Sequence, residues 1–322
     1  MILIISNSKD HHADVVTEKL NHHKTNIVRF NIDSFPKMNN ITIDNKFGIF
    51  SSTLQIENKI VDLSKIKVVW FRHSDTFGID SKLVEPFRTI AINETNEVMK
   101  GFPSIIDAIW INDPIATQLA HNKINQLEVA KRSGFEIPHT LITNIPEKVL
   151  EFYSKCNQNI IIKQLARNFV SLNNKDHGIL TNKVSKDDLE KESDSIRLAP
   201  CLFQEYIPKR IEIRVTVLKD KIFPIAIFSQ SSEKTSIDWR RYDLENTPHM
   251  PYDLPKDIEN KCFKLMKESK LIFGAIDLIL TPTGKYIFLD INPNGQWLWL
   301  EKLTGVPITS SLVKLLVDLD SE

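Results

Sequence analysis

Two aspartates stand inside apolar runs, where a carboxylate is costly to bury: Asp277 in AIDLIL and Asp290 in YIFLDIN, with Asn292 two residues further on. A buried carboxylate needs a compensating charge. Three oxygen donors of this kind suit a hard cation such as Mg²⁺, which commonly takes one or two carboxylates together with substrate phosphates. Asp290 and Asn292 share a strand face because side chains alternate. Part of the set also has a plainer reading, since residues 290 to 295, DINPNG, carry the chemistry of a turn that ends a strand. That reading accounts for Asn294 and Gly295 but leaves Asp277 unexplained.

Cationic side chains recur nearby in kind. Lys163 lies in NIIIKQL, where an inward-pointing lysine is costly unless an anion, such as a phosphate, pairs with it. In RIEIRVTVL the alternation puts Glu212, Arg214 and Thr216 on one face and Ile211, Ile213, Val215 and Val217 on the other. An acid and an arginine therefore point together, although a simple ion pair on an exposed strand would also place them so. Before that strand, the backbone of Gln204, Glu205, Tyr206 and Ile207 in LFQEYI is suited to read a nucleotide base through its N–H and C=O groups. Lys123, on AHNKINQLEVAK, reads plainly as a lysine reaching for water along its own helix. Arg240 and Arg241 in DWRRYD point oppositely if the segment is extended, so only one enters a site; two solvated loop arginines explain them equally well.

These residues need elements to hold them. MILIIS, NIVRFNI and KVVWFR read as strands and ADVVTEKLNHH as a helix, the alternation of an α/β unit. Helical patterning runs from Leu83 to Ile109 with a break at Gly101-Phe102-Pro103, followed by a WINDP turn and a first boundary near residue 115. Residues 116 to 133 read as one amphipathic helix closed by Gly134. NIIIKQL and GILTNKV read as strands flanking a polar loop, and SKDDLEKESDS as a charged surface helix or loop. From CLFQEYI onward, many strands with few helices predict a mixed, largely antiparallel sheet. The polar, proline-bearing stretch SSEKTSIDWRRYDLENTPHMPYDLP is too long for an idle connection and reads as a functional loop. Three regions follow: 1–115, an α/β domain; 116–200, a central subdomain; and 201–322, a subdomain that carries the metal donors.

The chain has 322 residues, with 41 Lys and Arg against 41 Asp and Glu, so it lacks the electrostatic footprint of a nucleic-acid binder. MILIIS is too short for a signal segment and no run approaches a membrane span, which predicts a cytoplasmic protein with no membrane partner. Cys156, Cys201 and Cys262 are far apart and read as small apolar side chains in a reducing compartment. The nine histidines, among them His11, His12, His22 and His23, show no metal-ligand spacing and read as surface residues. WLWLE at 297 to 301 suggests a contact surface and with it a homodimer.

The order Lys123, Lys163, QEYI, EIRV, Asp277 and DIN at 290 to 292 resembles the ATP-grasp ligases. More narrowly, the WINDP to LITN segment, DWRRYDLENTPHMPYDLP and FLDINPNGQWLWLEKLTG resemble the microviridin-type ligases, which form side-chain macrocycles in ribosomal peptides called graspetides. The resemblance implies an ATP-grasp fold, α/β and α+β, preceded by an α/β pre-ATP-grasp domain. It implies ATP and Mg²⁺ as cofactors and a precursor peptide, leader plus acidic core, as partner. Lys123 and Lys163 would contact phosphates, Glu205 and Ile207 would hold adenine by backbone, Glu212 would bind ribose hydroxyls, and Arg214 would face the γ-phosphate and acyl group. The product expected by resemblance is an ester between Asp or Glu and Ser or Thr; a lysine amide, or ligation of free amino acids, are the alternatives. Two departures stand out: a single glycine in ARNFVSLNNKDHG and His73 in WFRHSD in place of a second arginine, which leave the substrate contacts of that loop and of Arg72 open.

One geometric expectation follows. A four-residue loop, Pro282 to Lys285, would pair Thr281 with Tyr286 and bring Asp277 opposite Asp290, whereas a three-residue loop would send the two carboxylates to opposite faces. Held together without a cation, at least one should have a raised pKa.

Overall fold

The computed structural model describes residues 1–72, 76–166, 169–172 and 175–322, with backbone alone for 49, 169–172 and 175–177. His73, and residues 167, 168, 173 and 174 of the 166–178 stretch, all singled out from sequence, lie outside the described residues.

The N-terminal region is built on a parallel sheet of Ile27–Asn31, Ile2–Ser6, Val68–Phe71 and Ile109–Ile111, in that spatial order. Its central strand is a continuous apolar run because both of its faces are covered, and Ile2 through Ile5 are fully buried. Helix His11–Leu20 and the C-terminal helix Ile308–Ser321 pack on one face through Val16, Leu20, Leu312 and Leu316. A three-stranded antiparallel sheet, Asn39–Lys46, Ile49–Ile56 and Lys59–Asp62, was not expected from the sequence. Its side chains are largely solvated, so its apolar periodicity is weak. The WINDP segment differs too: Trp110 and Ile111 belong to the fourth parallel strand, and helix Phe87–Ile105 continues through Gly101 and Pro103.

The central sheet is antiparallel, in the order Asn182–Val184, Ile160–Lys163, Cys201–Glu205 and Thr140–Thr143. Cys201–Glu205 thus pairs here rather than with the sheet that follows it in sequence. Helices Pro146–Lys155, Lys186–Lys191 and Ser193–Leu198 cover one face around Val149, Phe152, Leu189 and Ile196.

The C-terminal sheet has five antiparallel strands: His249–Pro251, Lys221–Ile227, Ile211–Leu218, Phe273–Leu280 and Tyr286–Asn292. Helices Lys123–Arg132 and Lys256–Glu268 pack on the face that carries Ile213, Val215, Ile276 and Leu278. The opposite face carries Glu212, Arg214 and Asp277, and it too is closed from solvent, with every residue of Ile211–Leu218 buried. An exposed ion-pair strand is therefore ruled out. The helix expected over 116 to 133 is two helices, Pro114–His121 and Lys123–Arg132, because Asn122 leaves the helical region and its side chain caps the second by accepting from the Asn125 N–H. The long polar loop contains two short 3₁₀ turns and the edge strand His249–Pro251.

The hairpin that bears the aspartates corrects the expected loop. Leu280 pairs with Tyr286, and Thr281 accepts from Gly284 N–H at 3.0 Å and donates its own N–H to Lys285 at 2.9 Å, so three residues, Pro282 to Gly284, form the turn. Gly284 at φ +85° supplies the left-handed residue that such a turn needs. A β-bulge then absorbs Leu289: Leu278 pairs with Phe288, but Asp277 pairs with Asp290. The carboxylates face each other as expected, by a bulge rather than by a longer loop. Gly284→Ala meets open space, leaving only the cost of a left-handed backbone. Stability should fall by about 1–2 kcal/mol, read as a lower denaturant midpoint at unchanged slope, with activity per folded molecule retained.

Candidate active site

The central and C-terminal sheets face each other across an open cavity. Its walls include Lys123, Lys163, Gln204, Glu205, Tyr206, Ile207, Glu212, Arg240, Asp277 and Asp290, so residues up to 167 positions apart in sequence converge as the sequence reading required.

At one end lie the paired aspartates. Arg214 Nη1 donates to Asp277 Oδ2 at 2.7 Å, and Lys123 Nζ donates to Asp290 Oδ1 at 2.6 Å. Lys123 reaches Asp290 because the break at Asn122 makes it the first residue of its helix, so it is no snorkelling lysine. Burial pushes the Asp277 carboxyl above its ordinary range; Arg214 opposes the rise and Asp290 adds to it. Burial also works against ionised Asp290, but Lys123, with Lys163 and Arg240 behind it, outweighs that and holds its carboxyl below the ordinary range. One of the two carboxylates is thus raised, as expected, with burial the larger cause.

Asn292 Oδ1 accepts from Asn294 N–H at 2.9 Å, so the turn chemistry read from DINPNG is present too. The carbonyl oxygen keeps a second lone pair. Gly295 packs where a Cβ would run into Ala275 and crowd Arg214, which brings the loop hard against the aspartates. This set of hard oxygen donors, two of them carboxylates, fits Mg²⁺.

Lys163 is partly exposed and lines the cavity, and among the described residues its ammonium makes no hydrogen bond or ion pair. Burial lowers its pKa to about 8, with Asp290 opposing and Lys123 adding to the fall. Arg240 donates to both oxygens of Asp238, at 2.9 and 2.5 Å. It lines the cavity, whereas Arg241 turns away to donate to Asn182 Oδ1 at 2.6 Å. The expected opposition of the two arginines holds, although Trp239–Arg241 is a 3₁₀ turn rather than extended.

At the other end Gln204 Nε2 donates to Thr140 Oγ1 at 2.9 Å, and the Glu205 and Tyr206 N–H groups bond to His139 and Asn159 carbonyls. Among the described residues the Ile207 N–H has no partner and lies on the cavity wall. Glu212 is paired with Lys209 Nζ at 2.9 Å, and Lys209 also donates to Ile237 O at 2.7 Å.

Several residues that shape the site were missed from sequence. Asp238, buried, fixes Arg240 and also accepts from Thr181 N–H; its place between Ile237 and Trp239 in the polar loop was the available signal. His12 is no surface residue: it is 9% exposed, and its Nε2 accepts the Trp297 N–H at 3.1 Å. Burial, then Arg72, lowers its pKa to about 4, so the ring is a neutral acceptor. Arg72 donates to Asp10 at 2.9 Å and lies over the rings of Trp70 and Trp297, away from the cavity wall. Trp297 and Leu300 are fully buried, and Trp299 stacks on Trp239 at 5.1 Å, so WLWLE is spent inside the chain and gives no basis for a homodimer.

Two antiparallel sheets closing on a cavity that holds paired carboxylates, free and paired cations and an unsatisfied backbone donor define an ATP-grasp ligase. Residues 1–118 match the MvdD pre-ATP grasp domain family. A RiPP-associated ATP-grasp ligase of Chryseobacterium gregarium, solved with ADP and a leader and core peptide, is 32% identical, covering 98% of this chain and 96% of that one, with a TM-score of 0.90. The macrocyclase MdnC of Microcystis aeruginosa, solved with precursor peptide MdnA, is 28% identical over 98% and 99% of the two chains, with a TM-score of 0.87. MdnB from the same organism is 28% identical over 98% of each chain, with a TM-score of 0.82. Comparison with curated protein sequences gives no match. The chain belongs to the RiPP-associated ATP-grasp ligases, with the microviridin macrocyclases among its structural relatives. Among the described residues no helix is long and apolar enough to cross a membrane.

The Asp238–Arg240 pair carries a pH signature. Burial raises the Asp238 carboxyl, but bonds from Arg240 and its charge dominate and hold it at about 2 against 3.8 unperturbed. A depressed carboxylate stabilises above its unfolded pKa and loses that contribution as pH falls through the folded one. The shift corresponds to about 2 kcal/mol. Asp238→Asn should therefore cost about that much at neutral pH, and the difference from the parent protein in denaturant titrations should shrink as pH drops from 3.8 toward 2.

Proposed function

We propose that this ligase activates Asp or Glu side chains of a ribosomal precursor peptide as acyl phosphates and joins them to Ser or Thr hydroxyls, forming macrolactone esters. The observation that carries the reading is the cavity itself, where Lys163 and Arg240 stand beside the opposed Asp277 and Asp290. Relatives solved with ADP and with leader, core or precursor peptides support a peptide substrate. The ester rests on the likeness to microviridin macrocyclases.

ATP is the phosphoryl donor. The free Ile207 N–H and the Glu205 backbone would hold adenine, with Gln204 and Tyr206 on the same wall, and Glu212 would take the ribose hydroxyls. Asp277, Asp290 and Asn292 would hold Mg²⁺, which neutralises charge on the nucleotide phosphates when bound. The peptide carboxylate attacks the γ-phosphorus and ADP leaves; the hydroxyl oxygen then attacks the acyl carbon, phosphate leaves and the hydroxyl proton passes to solvent or phosphate. Phosphoryl transfer asks for positioning and charge neutralisation rather than a protein nucleophile. Lys123, Lys163, Arg214 and Arg240 supply cations for that purpose, with Arg241 outside the cavity. In this reading the chain divides near residue 115 and, because Cys201–Glu205 pairs in the central sheet, after Glu205 rather than at 200, into a pre-ATP-grasp domain and two nucleotide-clamping subdomains.

Incubating the protein with ATP, Mg²⁺ and its acidic precursor peptide should remove one water mass per ring, with ADP formed, and mild hydroxide should reopen the rings. Hydroxide-resistant products mapping to lysine would replace the ester by an amide. Faster ADP formation with free amino acids than with any acidic peptide would refute the peptide reading.

Lys163 offers an independent check. Its pKa of about 8 lies below the ordinary 10.5, so just above pH 8 much of it is neutral in the free protein. A polyphosphate alongside favours the ammonium and draws the value back up. ATP binding between pH 8 and 10.5 should therefore take up protons, seen as a calorimetric enthalpy that varies with buffer ionisation heat. Lys163→Met should abolish the uptake.

A further inference from the structure

Beside the cavity, on the far side of the wall to which Glu205 belongs, three chemically different donors meet. His139 lies just before strand Thr140–Thr143, Cys156 ends helix Pro146–Lys155, and Glu205 ends strand Cys201–Glu205. One imidazole nitrogen, the thiol sulfur and a carboxylate oxygen all lie within 4.8 Å of one another. We propose that His139, Cys156 and Glu205 form a second metal site, for a divalent cation of the zinc type.

The geometry supports this. With Zn–S at about 2.3 Å and Zn–N at about 2.0–2.1 Å, a tetrahedral ion sets its sulfur and nitrogen donors about 3.6 Å apart. Cys156 Sγ and His139 Nδ1 are 3.8 Å apart, so that pair needs a shift of only a few tenths of an ångström. The donors are also held in place. The His139 ring stands edge-on to Phe152 at 4.7 Å, the Cys156 N–H bonds to Phe152 O at 2.9 Å, and Glu205 N–H bonds to His139 O at 2.9 Å.

The donor set separates this site from the oxygen donors at Asp277 and Asp290. Thiolate and imidazole select borderline and soft ions, whereas carboxylate and carbonyl oxygens suit Mg²⁺. A shallow depression lined by His139, Lys155, Cys156, Asn157, Asn159 and Glu205 leaves room for water as a fourth ligand, the coordination of open zinc sites. Glu205 runs directly into Tyr206 and Ile207, so an ion here would tie the base-binding wall to the helix Pro146–Lys155; that consequence rests on the nucleotide reading, whereas metal binding does not.

Co²⁺ titrated into the full chain tests the site. The expected result is a thiolate-to-cobalt charge-transfer band in the near ultraviolet, saturating at one ion per chain and displaced by Zn²⁺. The band should vanish in Cys156→Ser and in His139→Ala, both checked for native melting curves. It should persist in Cys201→Ser and in Asp290→Asn, because oxygen donors give no thiolate band. Absence of the band, its survival in Cys156→Ser, or its loss in Cys201→Ser would overturn the assignment.

Discussion

Two carboxylates facing each other across adjacent strands of a closed sheet are the constraint around which the rest of this structure is arranged. Neither can be ionised there without a counter-charge, and the fold provides one for each from a different direction. Arg214 comes from the neighbouring strand of the same sheet, and Lys123 from the helix packed beside it. The paired carboxylates are therefore compensated within the chain. The asymmetry of the result, Asp277 raised and Asp290 lowered, follows from the larger number of cations that surround Asp290.

Holding the pair in register takes contacts from across the chain. The loop after Asn292 is gripped by the N-terminal region: Asn112 Nδ2 donates to Phe273 O and Pro293 O at 2.8 and 2.9 Å, and Arg72 donates to Asn294 O at 3.5 Å. Gln126 Nε2 donates to Ile291 O at 2.9 Å from the helix that carries Lys123. His12 takes the N–H groups at the start of helix Leu298–Thr304, and Trp297 Nε1 donates to Thr309. An α/β unit with no residue on the cavity wall thus helps to decide where Asp290 and Asn292 stand. Buried polar groups with satisfied partners specify one arrangement over others, because each would be left unpaired in an alternative.

The cavity's cationic wall obeys the same logic. Arg240 is directed by Asp238 and Lys209 by Glu212, each pair closed within the chain. Lys163 differs, with no partner among the described residues and a pKa lowered by burial. A cation kept short of a counter-ion is poised for an anionic ligand.

The sequence determined more of the site than of the frame. Asp277, Asp290 and Lys163 were legible because charge inside an apolar run is costly and has to be explained by a partner or a ligand. Strand Ile211–Leu218 and both strands of the aspartate hairpin were legible from alternation and β-branched content. The sheet Asn39–Asp62 was not, because a solvated sheet leaves only weak apolar periodicity. Nor were the break at Asn122, where one side chain's cap overrides helical continuity, and the bulge at Leu289, where tertiary pairing absorbs a residue that local turn rules assigned to the loop. Partner choice was equally out of reach: His12, Arg72, Asn112 and Asp238 act on groups 2 to 286 residues away in sequence. Sequence by itself determined which residues could not be buried alone. Only the tertiary structure decided which charge meets which, because pairing depends on distances that the chain acquires when its sheets close on one another.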